Sequence, residues 1–267
     1  MERVKKIVVM AKQVPDTRNV GKDAMTPEGT VNRAALAAIF NPEDLNALEM
    51  ALQMKERIAG SEVYVLTMGP QRASDVIREA MFRGADGGYL LSGKEFAGSD
   101  TLATSYALSL ALRKIEPDII VAGRQAIDGD TAQVGPQISE HLNIPVISYA
   151  QDIKVDGNSV IVERQYDDRY HVVKAQMPCL ITALGELNVP RYMTPGGIFD
   201  ACEAEITVWG RADLVDVEDS NLGLKGSPTQ IAKASDKVRK GAGEVVNLDP
   251  TEAVDYIVGK LKDKHVI

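Results

Sequence analysis

Short apolar runs alternate with longer amphipathic segments over the first 150 residues, and this alternation limits the possible folds more than any other feature. The apolar runs predict strands at residues 7–10, 63–66, 89–91, 119–122 and 146–149. The segments between them predict helices at residues 42–58, 71–82, 100–115 and 130–142. Repeated units of this kind are typical of a parallel sheet with right-handed crossovers and helices on both faces. We therefore expect a doubly wound α/β fold.

The pattern changes after residue 150. Apolar residues on both sides of Asp156-Gly157-Asn158 predict a hairpin over residues 153–162. A second turn at 167–169 extends this hairpin into an antiparallel meander, and residues 180–184 predict one more buried strand. The mostly parallel sheet is thus expected to carry a short antiparallel extension.

Glycine and proline interrupt the chain from about residue 205, where we expect sheet character to end. We therefore place an α/β domain at residues 1–204 and a C-terminal helical arm at residues 205–267. Residues 229–240 predict a weak polar helix, and residues 250–263 a stronger one that Asp249 caps. Two interpretations of the last helix stay open: it packs on the chain's own domain, or it packs on a partner chain.

The charge balance excludes several classes of protein. A formal net charge of −8 disfavours binding to nucleic acid or to an anionic membrane. No apolar stretch approaches the ~20 residues that span a bilayer, and the first apolar run is too short for a secretion signal. We therefore expect a cytoplasmic protein without stable membrane insertion. The two cysteines and three histidines lack metal-ligand spacing, so no metal site is predicted.

Candidate binding residues follow the predicted strands, because doubly wound sheets bind ligands beyond the carboxyl ends of their strands. Ala11 follows the first strand, where a small side chain admits a ligand, although a packed alanine explains it equally well. Asn41 and Asp44 begin a helix and either cap it or bind a ribose or an adenine amino group. No nucleophile–base motif, GxGxxG or Walker A motif is present, so no catalytic residue is named.

The richest segment follows the fourth strand and reads GRQAIDGDTAQVG from Gly123 to Gly135. Gly123 permits a close approach of a ligand to the backbone, and Asp128-Gly129 indicates a turn. Asp130 and Thr131 are expected at the N-terminus of the next helix, where free N–H groups favour a phosphate. A capped loop without any ligand is the alternative interpretation.

Four motifs in this order resemble the β subunit of electron transfer flavoproteins: VVMAKQVPD, NPED followed by ALE, GRQAIDGDTAQVG and NVPRY. The resemblance extends over the whole chain. It implies a flavodoxin-like α/β domain that carries an adenine nucleotide, and a C-terminal arm that embraces an α subunit holding its own FAD. Carried over residue by residue, the implied cofactor-binding residues are Ala11, Asn41, Asp44, Thr67, Gly123, Asp128, Gly129, Asp130, Thr131, Gln133 and Val134.

The loop at residues 128–135 resembles the electron-bifurcating branch of that family, whose β subunit carries a second FAD in place of AMP. Housekeeping members typically have three consecutive acids there, whereas Gly129 removes bulk and charge beside the implied pyrophosphate. The resemblance implies electrons taken from NADH and divided between ferredoxin or flavodoxin and, through the α-subunit FAD, an acyl-CoA dehydrogenase or enoyl-CoA reductase. Two alternatives stay open: a housekeeping β subunit with structural AMP, and a stand-alone nucleotide-binding module without redox function.

Residues 187–198 resemble the loop through which housekeeping members dock acyl-CoA dehydrogenases. Pro195 stands where that loop has an apolar leucine, and no lysines follow in residues 199–204. The docking anchor is therefore not carried over to this chain. The alternative interpretation of Pro190-Arg191-Tyr192 is a structural turn with a buried tyrosine.

Overall fold

The computed structural model describes residues 5–16, 37–229, 243 and 245–267 of the chain. All but the first residue of the helix predicted at 229–240 lies outside this part. The chain divides into two compact units, residues 1–232 and 233–267. This division lies later than the boundary at 204/205 expected from the sequence.

The first unit is built on a central sheet. The strands described are β1 (Lys6–Met10), β2 (Gln13–Pro15), β3 (Ala38–Phe40), β4 (Glu62–Met68), β5 (Gly87–Leu91), β6 (Ile119–Gly123), β7 (Val146–Asp156), β8 (Ser159–Gln165), β9 (Tyr170–Gln176), β10 (Cys179–Ala183) and β11 (Thr207–Trp209). Nine of them form this sheet in the order β11-β5-β4-β1-β6-β10-β7-β8-β9, and β2 pairs with β3 separately. The strands from β11 to β7 run parallel, whereas β7, β8 and β9 are antiparallel. The predicted sheet and its antiparallel meander are confirmed.

Helices cover both faces of this sheet. Those of the first unit are α1 (Pro42–Arg57), α2 (Ser74–Phe82), α3 (Thr101–Ile115), α4 (Val134–Leu142) and α5 (Pro195–Glu203). Apolar residues of α1 and α2 pack with Ile7 and Val9 on one face. Apolar residues of α3 and α4 pack with Val8 and Met10 on the other. Because alternate residues of β1 are buried on opposite faces, the continuous apolar strand predicts this double winding correctly.

The direction of winding reverses beside β1. The chain leaves β1, passes through α1 to β4 on one side, and continues outward through α2 to β5. It then returns through α3 to β6 on the other side of β1. The carboxyl ends of β1 and β6 therefore form a switch point, with β4 as the next strand along the sheet.

Two strand predictions are wrong. Residues 146–149 and 153–155 belong to one bent strand, β7, whose register shifts near Tyr149, a residue with φ of +60°. Sheet character also does not end at residue 205, because β11 adds a parallel edge strand beside β5. Trp209 of β11 stacks on Tyr89, with ring centroids 4.6 Å apart. An aromatic edge contact of this kind stabilises a strand too short to be recognised from the sequence.

Two helices begin later than predicted. Asp130 and Ala132 have φ values of +49° and +53°, which a right-handed helix excludes, so α4 begins only at Val134. Asp130 and Thr131 therefore lie in the preceding loop and not in the first helical turn. A 3-10 turn at Gln71–Ala73 similarly precedes α2.

The second unit contains α6 (Pro250–Asp263). The side chain of Asp249 accepts hydrogen bonds from the N–H groups of Thr251 and Glu252, which confirms the predicted N-cap. Val254 and Ile257 on this helix are exposed. In the described part of the chain, no helix is long and apolar enough to cross a membrane.

Candidate functional site

Asp44, in the first turn of α1, joins the two strands that flank the switch point. Its Oδ2 accepts a hydrogen bond from the N–H of Lys12, beyond β1, at 2.9 Å. Its Oδ1 accepts one from the N–H of Gly123, at the end of β6, at 3.2 Å. Burial raises the pKa of Asp44 to about 7, although these hydrogen bonds oppose the shift. Both carboxylate oxygens thus hold protein backbone at the edge of the sheet.

Asn41 precedes α1 but does not cap it with its side chain. Its Nδ2 donates to the carbonyl of Gln125 at 2.9 Å, and its Oδ1 accepts from the N–H of Ile127 at 3.1 Å. The amide is fully buried, so both polar groups need the partners they have. Asn41 therefore fixes the loop after β6, and the expected side-chain cap is wrong.

Two ion pairs hold the same loop against the start of α1 and the end of β1. Glu43 accepts from Arg124 Nη2 at 2.6 Å and from the N–H of Gln125 at 2.9 Å. Lys12 Nζ contacts both carboxylate oxygens of Asp128, at 2.7 and 2.9 Å. Sequence reasoning did not identify Lys12, Glu43, Arg124 or Gln125 as site residues, although all four lie within the quoted motifs.

Gly123 and Gly129 have different surroundings. A Cβ at Gly123 would lie 2.5 Å from Asp44 Oδ1 and 2.7 Å from the backbone carbon of Glu43. The close approach at Gly123 is therefore made by α1 of the same chain. A Cβ at Gly129 would meet no atom within 4 Å, and its φ lies outside the left-handed region. Neither packing nor backbone conformation of the described residues requires glycine at position 129.

The second half of the loop is open to solvent. Gly129, Asp130, Thr131 and Gln133 are all exposed. Gln125 Nε2 donates to Asp130 Oδ1 at 3.0 Å, and Thr101 Oγ1 contacts Gln133 Oε1 at 3.0 Å. The Gln133 side chain does not cap α4. Because the first turn of a helix leaves its N–H groups without helical partners, α4 presents donors toward this open loop.

Ala11 and Thr67 lie on the adjoining strand ends. The N–H of Ala11 donates to the carbonyl of Leu66, the residue before Thr67, at 3.0 Å. Thr67 is 1% exposed, and its Oγ1 has no hydrogen-bond partner in the described structure. A buried hydroxyl without a partner is costly, so Thr67 is a site where an additional contact would stabilise the protein. The eleven candidate residues lie at the carboxyl ends of β1, β4 and β6, at the start of α1, or between the end of β6 and the first residue of α4.

A second feature, the clamped segment (residues 188–194), is held against the side of α1. The side chains of Asn46 and Asn188 each donate to the other's backbone carbonyl, at 2.8 and 3.0 Å. Arg191 donates through Nε to Glu49 Oε2 at 2.8 Å and through Nη1 to Glu56 at 2.7 Å. Burial pulls the pKa of Glu49 upward, but the hydrogen bonds and charge of Arg191 outweigh it, so the pKa is lowered.

The clamp leaves apolar side chains facing solvent. Val189 is 89% exposed and Tyr192 is 91% exposed, so the interpretation with a buried tyrosine is wrong. The following helix, α5, was not predicted. It begins at Pro195, and the Thr194 side chain caps it by accepting from the N–H of Gly197. Phe199 on this helix is also exposed and extends the apolar surface.

The fold is that of a doubly wound α/β protein, and the candidate residues lie at the switch point of its sheet, where such proteins bind ligands. Residues 28–214 match the electron transfer flavoprotein domain. The chain therefore belongs to the electron transfer flavoprotein family, as its motifs predict.

Three relatives match nearly their whole length. The chain is 48% identical to the electron transfer flavoprotein subunit beta of Clostridium acetobutylicum, covering 98% of this chain and 99% of that protein. It is 47% identical to subunit CarD of the caffeyl-CoA reductase-Etf complex of Acetobacterium woodii, covering 98% and 100%. It is 46% identical to the electron transfer subunit gamma of the acryloyl-CoA reductase of Anaerotignum propionicum, covering 98% and 100%. Two of these relatives are thus named as subunits of acyl-CoA reductase systems.

Proposed function

We propose that this chain is the β subunit of a heterodimeric, electron-bifurcating electron transfer flavoprotein that binds FAD at the switch point. The complex takes electrons from NADH. It passes one to a low-potential acceptor, ferredoxin or flavodoxin, and the other through the α-subunit FAD to an acyl-CoA dehydrogenase or enoyl-CoA reductase. The names of the relatives from A. woodii and A. propionicum support a reductase partner.

The open surroundings of Gly129 are the observation that favours FAD over AMP. A glycine that neither packing nor φ requires is explained by a ligand that passes close to the backbone. A dinucleotide is longer than AMP and needs a path beyond its first phosphate. A carboxylate at position 129 would place bulk and negative charge on that path.

Two groups of residues hold the nucleotide in this proposal. Ala11 and Thr67 lie at the strand ends on one side, and the Thr67 hydroxyl, which is buried and has no hydrogen-bond partner in the described structure, needs a side-chain rotation to reach the nucleotide. The backbone N–H groups from Thr131 to Gly135 supply donors to the pyrophosphate, because those of Gly129 and Asp130 already donate to the carbonyl of Ala126. Asn41, Asp44, Gly123 and Asp128 keep the loop in place through the hydrogen bonds and the ion pair described above.

The bound flavin supplies the redox chemistry, accepting electrons as a pair and donating them singly. The residues of the chain bind it, orient it and set its electrostatic surroundings. No acid or base of the chain is assigned to the reaction.

Two surfaces of the chain serve its partners in the same proposal. Val189 and Tyr192 on the clamped segment and Phe199 on the following helix α5 are exposed apolar side chains, which suit docking of the acyl-CoA partner. The apolar stripe of α6 contacts the α subunit, because Val254 and Ile257 are exposed in a unit too small to bury them itself.

Gly129→Asp tests the proposal directly. We expect the variant complex to lose one flavin per heterodimer, keep the α-subunit flavin and lose reduction by NADH. Repulsion of about 1–4 kcal/mol at contact distance would weaken binding by roughly one to three decades. Gly196→Asp is the matched control, because a Cβ at Gly196 also meets no atom within 4 Å. Equal flavin contents in the two variants would contradict the proposal.

A further inference from the structure

Four carboxylates surround a site that we propose holds a pyrophosphate, and each is occupied by a donor from the chain. Glu43 binds Arg124, Asp44 binds two backbone N–H groups, and Asp130 accepts from Gln125. The fourth, Asp128, forms an ion pair with Lys12. In the described structure, this is the one contact between a lysine ammonium and the loop after β6. The acids at the switch point are thus compatible with an anionic ligand only while these partners stay in place.

Lys12 differs from the other partners because it connects two strand ends. Its backbone N–H is fixed by Asp44, and its Nζ reaches over to both oxygens of Asp128. The side chain of Asp128 is only 9% exposed, whereas that of Lys12 is 49% exposed. Water can therefore solvate Lys12 without Asp128 but can hardly solvate Asp128 without Lys12. Loss of the lysine leaves a poorly solvated carboxylate beside the candidate phosphate site.

We propose that Lys12 is a positioning residue of the nucleotide site: it neutralises Asp128 and holds the loop after β6 in the conformation that accepts a phosphate-bearing ligand. This inference rests on the proposed function only for the presence of a nucleotide at the switch point. It does not depend on whether that nucleotide is FAD or AMP.

The charge of Asp128 determines how a second substitution should change nucleotide binding. If Lys12 acts by neutralising this carboxylate, Lys12→Met harms binding only while Asp128 is ionised. Asp128→Asn introduced into the Lys12→Met protein should then restore the nucleotide, which is a non-additive effect of neighbouring residues. Lys12→Arg keeps the positive charge and should retain the nucleotide. Added salt should reduce the defect of Lys12→Met, because it screens the repulsion between Asp128 and phosphate.

The experiment quantifies FAD and AMP released from the purified α–β complex after desalting. Variants are Lys12→Met, Lys12→Arg and the double variant Lys12→Met/Asp128→Asn. Lys174→Met is the control, because Lys174 forms an ion pair with Asp156 and is 53% exposed, similar to Lys12. We expect Lys12→Met to raise the dissociation constant of the β-subunit nucleotide about tenfold or more, which corresponds to a loss of about 1.4 kcal/mol or more. The arginine and control variants should stay within about threefold of wild type, and the double variant should bind the nucleotide more tightly than Lys12→Met.

The outcomes separate this inference from the proposed function. One AMP in the wild-type complex, lost on Lys12→Met, would overturn the choice of FAD and support the role of Lys12. Wild-type retention of either nucleotide by Lys12→Met would overturn the role of Lys12 and leave the cofactor assignment unaffected. Three further results would overturn the role of Lys12. The double variant could be as defective as Lys12→Met, or salt could fail to reduce the defect of Lys12→Met. The third is a wild-type β subunit that holds no nucleotide.

Discussion

Gly123 and Gly129 lie in one loop but face different surroundings, and the difference is measurable. A methyl group at Gly123 would press on Asp44 Oδ1, which belongs to a buried carboxylate held by two backbone N–H groups, and on the backbone of Glu43. We expect Gly123→Ala to lower the free energy of unfolding by about 1–3 kcal/mol, because overpacking separates β6 from α1. Gly129→Ala has free space and should change stability little. Denaturant unfolding of both variants tests this, and equal stabilities would contradict the packing described for Gly123.

The sequence identified Asn41 and Asp44 as candidate residues but not what they contact. Their type and position at a helix start predict capping, which is a local interaction. Their partners, Gln125 and Gly123, lie 84 and 79 residues further along the chain. Such contacts cannot be predicted from sequence spacing before the topology is known. The same applies to Lys12 and Asp128, which are 116 residues apart.

Among the contacts between elements, the clamp between residues 188–194 and α1 has a definite pH dependence. The pKa of Glu49 is lowered in the folded protein, so its carboxylate adds stability above its ordinary pKa of 4.5. That contribution disappears as the pH falls through the lowered value. We expect Glu49→Gln to destabilise the protein by about 1–3 kcal/mol at pH 7, as for charged hydrogen bonds. The difference from wild type should shrink in acid, which unfolding measurements across pH 3–7 test.

Glu56→Gln is the matched control for this clamp. Glu56 contacts the same arginine but its side chain is 62% exposed, so its loss should cost less than about 1 kcal/mol. A larger loss for Glu56→Gln than for Glu49→Gln would contradict the account of the clamp.

The elements that the sequence predicts well are those with strong periodicity. β1, α1, α3 and β6 lie within about one or two residues of their predicted bounds, since their apolar patterns determine them. The start of α4 was missed because two non-glycine residues take left-handed conformations there. The edge strand β11 was missed because three residues are too few to show an apolar period. The strand gains stability from the stacking of Trp209 on Tyr89, which is distant in the sequence.

At the scale of the whole molecule, the division into units determines where the arm can be removed. Ser227 is buried and accepts from the N–H of Asp100, and the N–H of Thr229 donates to the Asp100 carboxylate. Deleting residues 233–267 should therefore leave a folded first unit that no longer co-purifies with the α subunit. Deleting residues 227–267 also removes these contacts to the start of α3 and should lower the melting temperature. Co-purification at wild-type level without residues 233–267 would exclude the proposed arm.

The nucleotide content of the wild-type α–β complex tests the central claim most directly. The complex is denatured, and the released FAD and AMP are separated and counted per heterodimer. The account predicts two equivalents of FAD and no AMP, because the open loop at Gly129 leaves room for a dinucleotide in the β subunit. One equivalent of FAD with one of AMP would contradict it and identify the chain as a housekeeping β subunit with a structural nucleotide.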